Sequence, residues 1–462
     1  MENKNDFLNI KEEVEELGIE HILAILPILR KMPPVEVAEI LNELDAEAIA
    51  FILKNFDIEQ QGLIFSEFNI SRQLELFNLF NKREFADIFE HMPPDDYVDL
   101  YQHLEPEEQV ELLPYLSLDI RENVIRLSKY PEETAGGIMT TDFFTVHSGK
   151  TCEELINLIR SRSPSNRALY HIYVINEDNV LLGIINLEDL IKAKGDTLVD
   201  DVMEKDYEFV FVDEDREKVA EIIAKYDLIT LPVLNHDYQL IGVVTSDDAI
   251  EVIHSEQTED FEKFMGIVQE PEYFDYLGTP TTVHFKKRIV WLIALAIIEL
   301  FAGMVINHYQ PLIQQLYVLA LFMPMLTAMG GNAGSQSATV IVRALALGQI
   351  TVKEWFKIIW KELRIAVLLA LILGILTFAN AMILNSFRVI PEGFSISYIS
   401  FVIALSMSLQ IICSTFLGAL SPLIVKSLKG DPALAASPAI ATLVDITGLI
   451  IYFSVASLLL GL

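Results

Sequence analysis

The chain has 462 residues, 66 acidic against 33 basic side chains and a formal net charge of −33, yet 52% of its residues are hydrophobic. That balance excludes a nucleic-acid binder built on a basic surface. Its two cysteines, Cys152 and Cys413, are too few and too far apart for a disulfide framework or a metal knuckle. The charge is divided: residues 1–285 carry 22 Lys and Arg against 60 Asp and Glu, net −38, and residues 286–462 carry 11 against 6, net +5, which sum to −33. An acid-rich soluble part ahead of an apolar part with polar groups sunk in it points to cation handling.

Met1–Lys11 is polar and charged and does not read as a signal peptide. Residues 1–130 read as helices only. Apolar side chains recur at three- and four-residue spacing in Val35–Leu44, Ala48–Phe56 and Leu74–Phe80. Met32-Pro33-Pro34 and Met92-Pro93-Pro94 each precede an acidic, helix-forming stretch, and Pro is a good first helical residue. A small solenoid of short helices is the expected form.

From residue 138 the pattern changes to strands alternating with helices, and it is duplicated. Tyr173–Asn176, Leu182–Asn186 and Glu188-Asp189 in one copy match Pro232–Asn235, Ile241–Thr245 and Asp247-Asp248 in the other. Gly183 to Gly242 and Asp189 to Asp248 are both 59 positions apart, and the copies open on Ile138-Met139 and Val202-Met203. This resembles a tandem pair of CBS domains, a pseudo-symmetric regulatory module. The resemblance implies a nucleotide site in which Thr245 and Asp248 contact ribose and phosphate, with ATP as the ligand; the first copy has Asn186 in place of the threonine. The other reading of Thr245 and Asp248 is an ordinary strand-to-helix cap.

Five stretches then reach the roughly 20 apolar residues needed to cross a bilayer: Ile289–Ile306, Leu312–Met329, Ile365–Leu384, Ser397–Val425 and Ala433–Leu462. Lys286, Lys287 and Arg288 precede the first. Arg343, Lys353, Lys357, Lys361 and Arg364 lie between the second and third, and Lys426 and Lys429 between the fourth and fifth. The first outer loop has no Lys or Arg and the second only Arg388. The positive-inside rule places the N-terminal part in the cytosol and the C-terminus outside. No His-Glu-x-x-His sequence occurs, and the membrane-side histidines His284 and His308 sit at span edges, which argues against a membrane enzyme.

Two motifs carry the chemistry of this part. Gly330, Gly331 and Gly334 surround Asn332, with Ser335, Gln336 and Ser337 following. Small residues let membrane helices approach closely, and polar groups at this depth need protein or water partners. These residues therefore serve either as helix–helix glue or as the lining of an aqueous path. The last span is expected to start at Asp431-Pro432 and carries Asp445, well inside the bilayer. An intramembrane carboxylate is costly and functional by default; the alternative is a structural pair with Arg343 or another buried partner. Glu299 is a second such acid. Carboxylate, amide and carbonyl oxygens suit a hard cation, and Mg2+, which dehydrates reluctantly, needs only one or two carboxylates plus waters. The same ligands also allow Mn2+, Co2+ or Ca2+.

The order of parts, together with the runs YPEETAGGIM, GGNAGSQSATVIVRAL and DPALAASPAIATLVD, resembles the MgtE-type magnesium channel/transporter family over essentially the whole chain. The resemblance implies a homodimer in the cell membrane with the ion path on its twofold axis. Asp445 would hold the hydrated ion, Ala441 would offer a backbone carbonyl, and Asn332 would lie on the pore side. It also implies that cytosolic Mg2+ closes the path by binding sensor acids: Asp95 and Asp99, then Asp215, Glu217, Asp227, Asp248 and Glu251, then Glu256, Glu259 and Asp260, with Asp431 opposite. The expected architecture is multidomain. It comprises an all-α superhelical domain (1–130), an α/β tandem CBS pair (131–254, copies 138–200 and 202–254), a connecting helix (255–285) and an all-α transmembrane domain of five helices (286–462). The competing function is CBS-regulated transport of another divalent cation such as Mn2+ or Co2+.

Overall fold

The computed structural model describes residues 25–162, 167–267, 279–386, 394–435 and 437–462; Met1–Lys11, Arg388 and part of the segment 255–285 lie outside them. The chain forms two compact units, Met1–Glu256 and Gln257–Leu462.

The first unit begins with short helices joined by tight turns: α1 (Pro34–Leu41), α2 (Ala46–Leu53), α3 (Ile58–Ser66), α4 (Ile70–Phe77), α5 (Lys82–Phe89), α6 (Pro94–His103), α7 (Pro106–Leu112) and α8 (Leu118–Leu127). Their starts follow from local chemistry. Asp45, Asn69 and Asn81 each accept a backbone N–H of the first turn, and Pro34 and Pro94 open α1 and α6, as the repeated Met-Pro-Pro motif requires. Phe65, Phe77 and Phe85 pack edge to face at the centre, with ring centroids 4.8–5.3 Å apart. The core does not stop at residue 130: Val98, Leu127, Ala135, Met139, Val244 and Val252 belong to one continuous cluster. Ala135 and Gly136 donate to the carbonyls of Glu214 and Val212, so the ETAGG run is stitched onto the second repeat.

Each repeat is a three-stranded sheet. In the first, β1 (Phe144–His147) pairs in parallel with β2 (His171–Ile175), which pairs antiparallel with β3 (Leu181–Asn186). Helix α9 (Cys152–Arg162) makes the crossover, and α10 (Leu187–Lys192) and α11 (Val199–Val202) follow. The second copies it: β4 (Val210–Phe211), α12 (Arg216–Tyr226), β5 (Thr230–Leu234), β6 (Leu240–Thr245) and α13 (Ser246–Phe264). The leading strands β1 and β4 extend the expected strand–turn–strand–helix pattern. The two sheets exchange edges: Thr140 bridges Val243 and Glu204 bridges Ile184. The paired glycines make room for this. A Cβ on Gly242 would lie 2.6 Å from Met139 Sδ, and one on Gly183 would lie 2.8 Å from Met203 Sδ.

The second unit contains five helices long and apolar enough to cross a membrane, among the described residues. They are α14 (Thr281–His308), followed by the short α15 (Gln310–Gln315), then α16 (Val318–Ala346), α17 (Trp355–Ser386), α18 (Ile396–Ser427) and α19 (Ser437–Leu460). Helix α18 is the central element, packed on α16, α17 and α19. Helices α14 and α17 begin earlier than the expected spans, at Thr281 and Trp355 instead of Ile289 and Ile365, and two further differences have a local cause. The second helix runs on through the glycine motif, because Gly330, Gly331 and Gly334 are held by close packing: a Cβ on Gly418 of α18 would meet the Gly334 carbonyl oxygen at 2.1 Å. The last helix starts at Ser437 rather than at Asp431. Asp431 instead caps a separate 3-10 turn, Pro432–Leu434, by accepting the Ala433 N–H at 2.9 Å. Pro438 has no N–H with which to continue a helix from that turn.

Candidate ion path and cation-binding surfaces

Helices α16 and α19 bring the candidate path residues together. A Cβ on Gly331 would lie 3.6 Å from Ala441 Cβ and 4.0 Å from an Asp445 carboxylate oxygen, so the residue beside Asn332 abuts both. Asn332, Gln336, Thr339 and Arg343 are exposed on α16. Their spacing of four, three and four residues puts them on one face. Ala441 and Asp445 are half-buried, next to Gly331. Asp445 lies eight residues into α19, about 12 Å from its start. Among the described residues no ion pair joins it to Arg343. Glu299 is exposed on α14. One acid was not singled out in the sequence: Glu362 of α17, 8% exposed, which accepts a hydrogen bond from Ser337 Oγ at 2.8 Å.

In the first unit, acids from α6 and from the start of α13 share one field. Burial pushes Asp96 well above the usual carboxylate range, reinforced by Asp95 and then by Asp248, Glu251 and Asp99. Burial and then Asp95 push Asp248 up to about 8, against the relief of a hydrogen bond from Thr245. Asp95, Asp99, Asp248 and Glu251 were expected as sensor acids. Asp96 was legible only as the second half of an Asp-Asp pair. Like charges this close cannot all ionise without a counter-charge. Beside them the ligand atoms of Asp99, His103 and Glu132 lie within 4.8 Å of one another. Its hydrogen bond to Asp99 raises His103 to about 9, against burial.

The remaining sensor candidates do not converge on this cluster. Asp215 caps α12 through the Glu217 N–H at 2.8 Å, and Asp227 ends the same helix in a left-handed conformation, φ 52°. Twelve positions of helix, about 18 Å, separate them, so no single ion takes both. Glu256 is held by Arg216 Nε at 2.7 Å, and the same guanidinium reaches Glu133 at 3.1 Å. In the second unit Lys263 Nζ lies 2.5 Å from Glu259 and 3.1 Å from Asp431, with Asp260 partly buried nearby in sequence. Burial opposes the Lys263 charge, but the two carboxylates outweigh it and raise its pKa. The lysine follows Glu259 by four residues, the helical spacing that could have identified it.

Thr245 and Asp248 form the strand-to-helix cap: the threonine hydroxyl donates to the Asp248 carboxylate, and its N–H does so at 3.4 Å. In the first repeat Asn186 Nδ2 donates to Asp189 at 3.3 Å in the same way.

The fold and these sites define a membrane transport protein for divalent cations with a CBS-containing regulatory part. Family models agree segment by segment: "MgtE intracellular N domain" matches residues 32–133, "CBS domain" 135–196 and 199–255, and "Divalent cation transporter" 323–455. The magnesium transporter MgtE of Thermus thermophilus is 34% identical over 340 residues, 74% of this chain and 73% of that one. That of Enterococcus faecalis is 34% identical over 334 residues, covering 72% and 70%. A crystal structure of the soluble part of a magnesium transporter superimposes with a TM-score of 0.50 at 26% identity, over 55% of this chain and 98% of that one. The chain belongs to the MgtE family of magnesium transporters.

Proposed function

We propose that this magnesium transporter conducts hydrated Mg2+ along a polar path in the cell membrane, lined by Asn332, Ala441 and Asp445 and completed by a second copy of the chain. The observation that carries this reading is Asp445 packed beside Gly331 of α16, one residue before the exposed polar stripe that begins at Asn332. A stripe of Asn332, Gln336, Thr339 and Arg343 is costly against lipid and is relieved by water in a shared cavity. Asp445 supplies the charge that attracts the ion. Mg2+ keeps its inner waters, so the carboxylate, the Asn332 amide and the Ala441 carbonyl act by accepting from or orienting those waters.

Regulation follows from the acids of the first unit. With Asp95, Asp96, Asp99, Asp248 and Glu251 crowded together, a divalent cation replaces the proton that would otherwise neutralise them. The path closes only if Mg2+ binds the closed arrangement better than the open one. Asp215, Glu217, Asp227, Glu256, Glu259, Asp260 and Asp431 are further candidate ligands, and ATP is the candidate ligand at Thr245 and Asp248. The parts N-terminal to the membrane helices are cytosolic in this reading and the C-terminus is outside. Transport of Mn2+ or Co2+ is the second reading, because the oxygen ligands of the path also accept those ions.

The test is Mg2+ uptake into proteoliposomes that hold the full chain. Asp445→Ala is expected to lower uptake at least tenfold, about 1.4 kcal/mol at the barrier, while the protein still elutes as a folded species. Uptake equal to the parent would remove Asp445 from the path.

A further inference from the structure

Helix α18 carries buried polar side chains on its inner face, among them Gln410, which is 0% exposed. Its Nε2 donates to the carbonyl of Val444 on α19 at 3.0 Å, where the Thr447 hydroxyl also donates at 3.2 Å. Its Oε1 has no hydrogen-bond partner. The side chain fills a slot that two glycines leave open: a Cβ on Gly330 of α16 would lie 2.3 Å from Nε2, and one on Gly448 of α19 would lie 2.2 Å from it. One turn further along α18, Ser414 Oγ donates to the carbonyl of Gly330.

A single side chain therefore touches α16 two residues before Asn332 and grips α19 at the carbonyl directly before Asp445. Leucine would fill much the same volume without leaving an unsatisfied buried carbonyl. What leucine cannot do is donate to Val444. The geometry points to Gln410 as a positioning residue of the ion path. It spaces α16 from α19 and fixes the rotation of α19, and so sets where the Asp445 carboxylate stands relative to Asn332. It does not touch the ion. A carboxylate that binds an ion through its water shell is sensitive to this placement, because second-shell partners tune both affinity and choice among metals. This inference rests on the reading that Asn332 and Asp445 line the path.

The experiment measures Mg2+ uptake and the Mg2+ to Ca2+ uptake ratio in proteoliposomes containing the full chain, with Asp445→Ala as the control. Gln410→Leu is expected to raise the half-saturating Mg2+ concentration about tenfold and to change the Mg2+ to Ca2+ ratio, whereas a merely structural loss would scale both ions equally. Gly448→Ala, which drives a methyl into the amide, is expected to shift the half-saturation and the ion ratio in the same direction as Gln410→Leu, and Gln410→Ala in the same chain is expected not to restore them, because the donor to Val444 is then gone. If Gln410→Leu fails to reach the membrane, Gly448→Ala decides. Parental half-saturation and ion ratio in Gln410→Leu, or in Gly448→Ala alone, would overturn the inference while loss of uptake in Asp445→Ala left the path reading intact. Unimpaired uptake in Asp445→Ala would instead overturn the path reading itself.

Discussion

Asp248 shows what one carboxylate gains and loses by its placement. Its pKa rises from an ordinary value near 3.8 to about 8, chiefly through burial and Asp95. A raised carboxylate contributes stability that is present below its unfolded pKa and is lost as pH rises through the folded one. Without divalent ions the contact between α6 and α13 is therefore expected to loosen steadily from about pH 4 to pH 8 and to change little above that. Mg2+ competes with the proton, so its apparent affinity is expected to rise over the same interval. Hydrogen exchange at α6, followed through Mg2+ titrations at pH 6 and pH 8, measures this. Asp248→Asn is expected to tighten the metal-free contact and to flatten the pH dependence; an unchanged pH dependence would show that Asp96 or another acid carries the proton. Asp95, Asp99, Asp248 and Glu251 were named through the family resemblance, which also implied an ion between the N-terminal and CBS surfaces. Local sequence patterns do not reveal the means of their meeting, since helices about 150 residues apart in sequence are brought together by a core that runs through Ala135 and Met139.

At the scale of elements, the 59-residue repeat matched β2 and β3 to β5 and β6 position by position: residue 171 maps onto 230, and 186 onto 245. Strands β1 and β4 escaped notice because they are short, and their parallel partners lie more than 20 positions away across a helix. The end of the second membrane helix escaped for another reason. Hydropathy falls where glycine, asparagine and serine replace leucine, yet the backbone stays helical because α18 packs against it at Gly334 and Gly418. Gly242→Val is expected to destabilise the repeat pair by about 1–3 kcal/mol through overpacking against Met139, and Met139→Ala in the same chain is expected to recover part of that. Urea unfolding followed by tyrosine fluorescence checks both. Lys263 concerns a different element, the last turns of α13. Its ammonium occupies the space between Glu259 and Asp431 that a cation would take, a pairing that salt weakens only in part because all three groups are partly buried. Lys263→Gln is expected to free both acids, so that Mg2+ protects the chain around residues 257–267 from protease at several-fold lower concentration. Unchanged protection would mean that the two acids are not metal ligands.

Over the whole molecule, the −38 charge of residues 1–285 makes the acidic part repel itself, and divalent ions relieve that more effectively than monovalent ones. At matched ionic strength, Mg2+ is expected to raise the melting temperature of this part above that in NaCl; equal melting would leave the acids as a solubilising coat only. The exchange of edges between the two sheets sets a limit on how this molecule can be taken apart. Met139 is delivered to Gly242 and Met203 to Gly183, so each repeat arrives carrying the plug for a hollow in its neighbour. A fragment cut between them would present one open hollow and one stranded methionine. The pair therefore transplants into another protein only as an undivided whole.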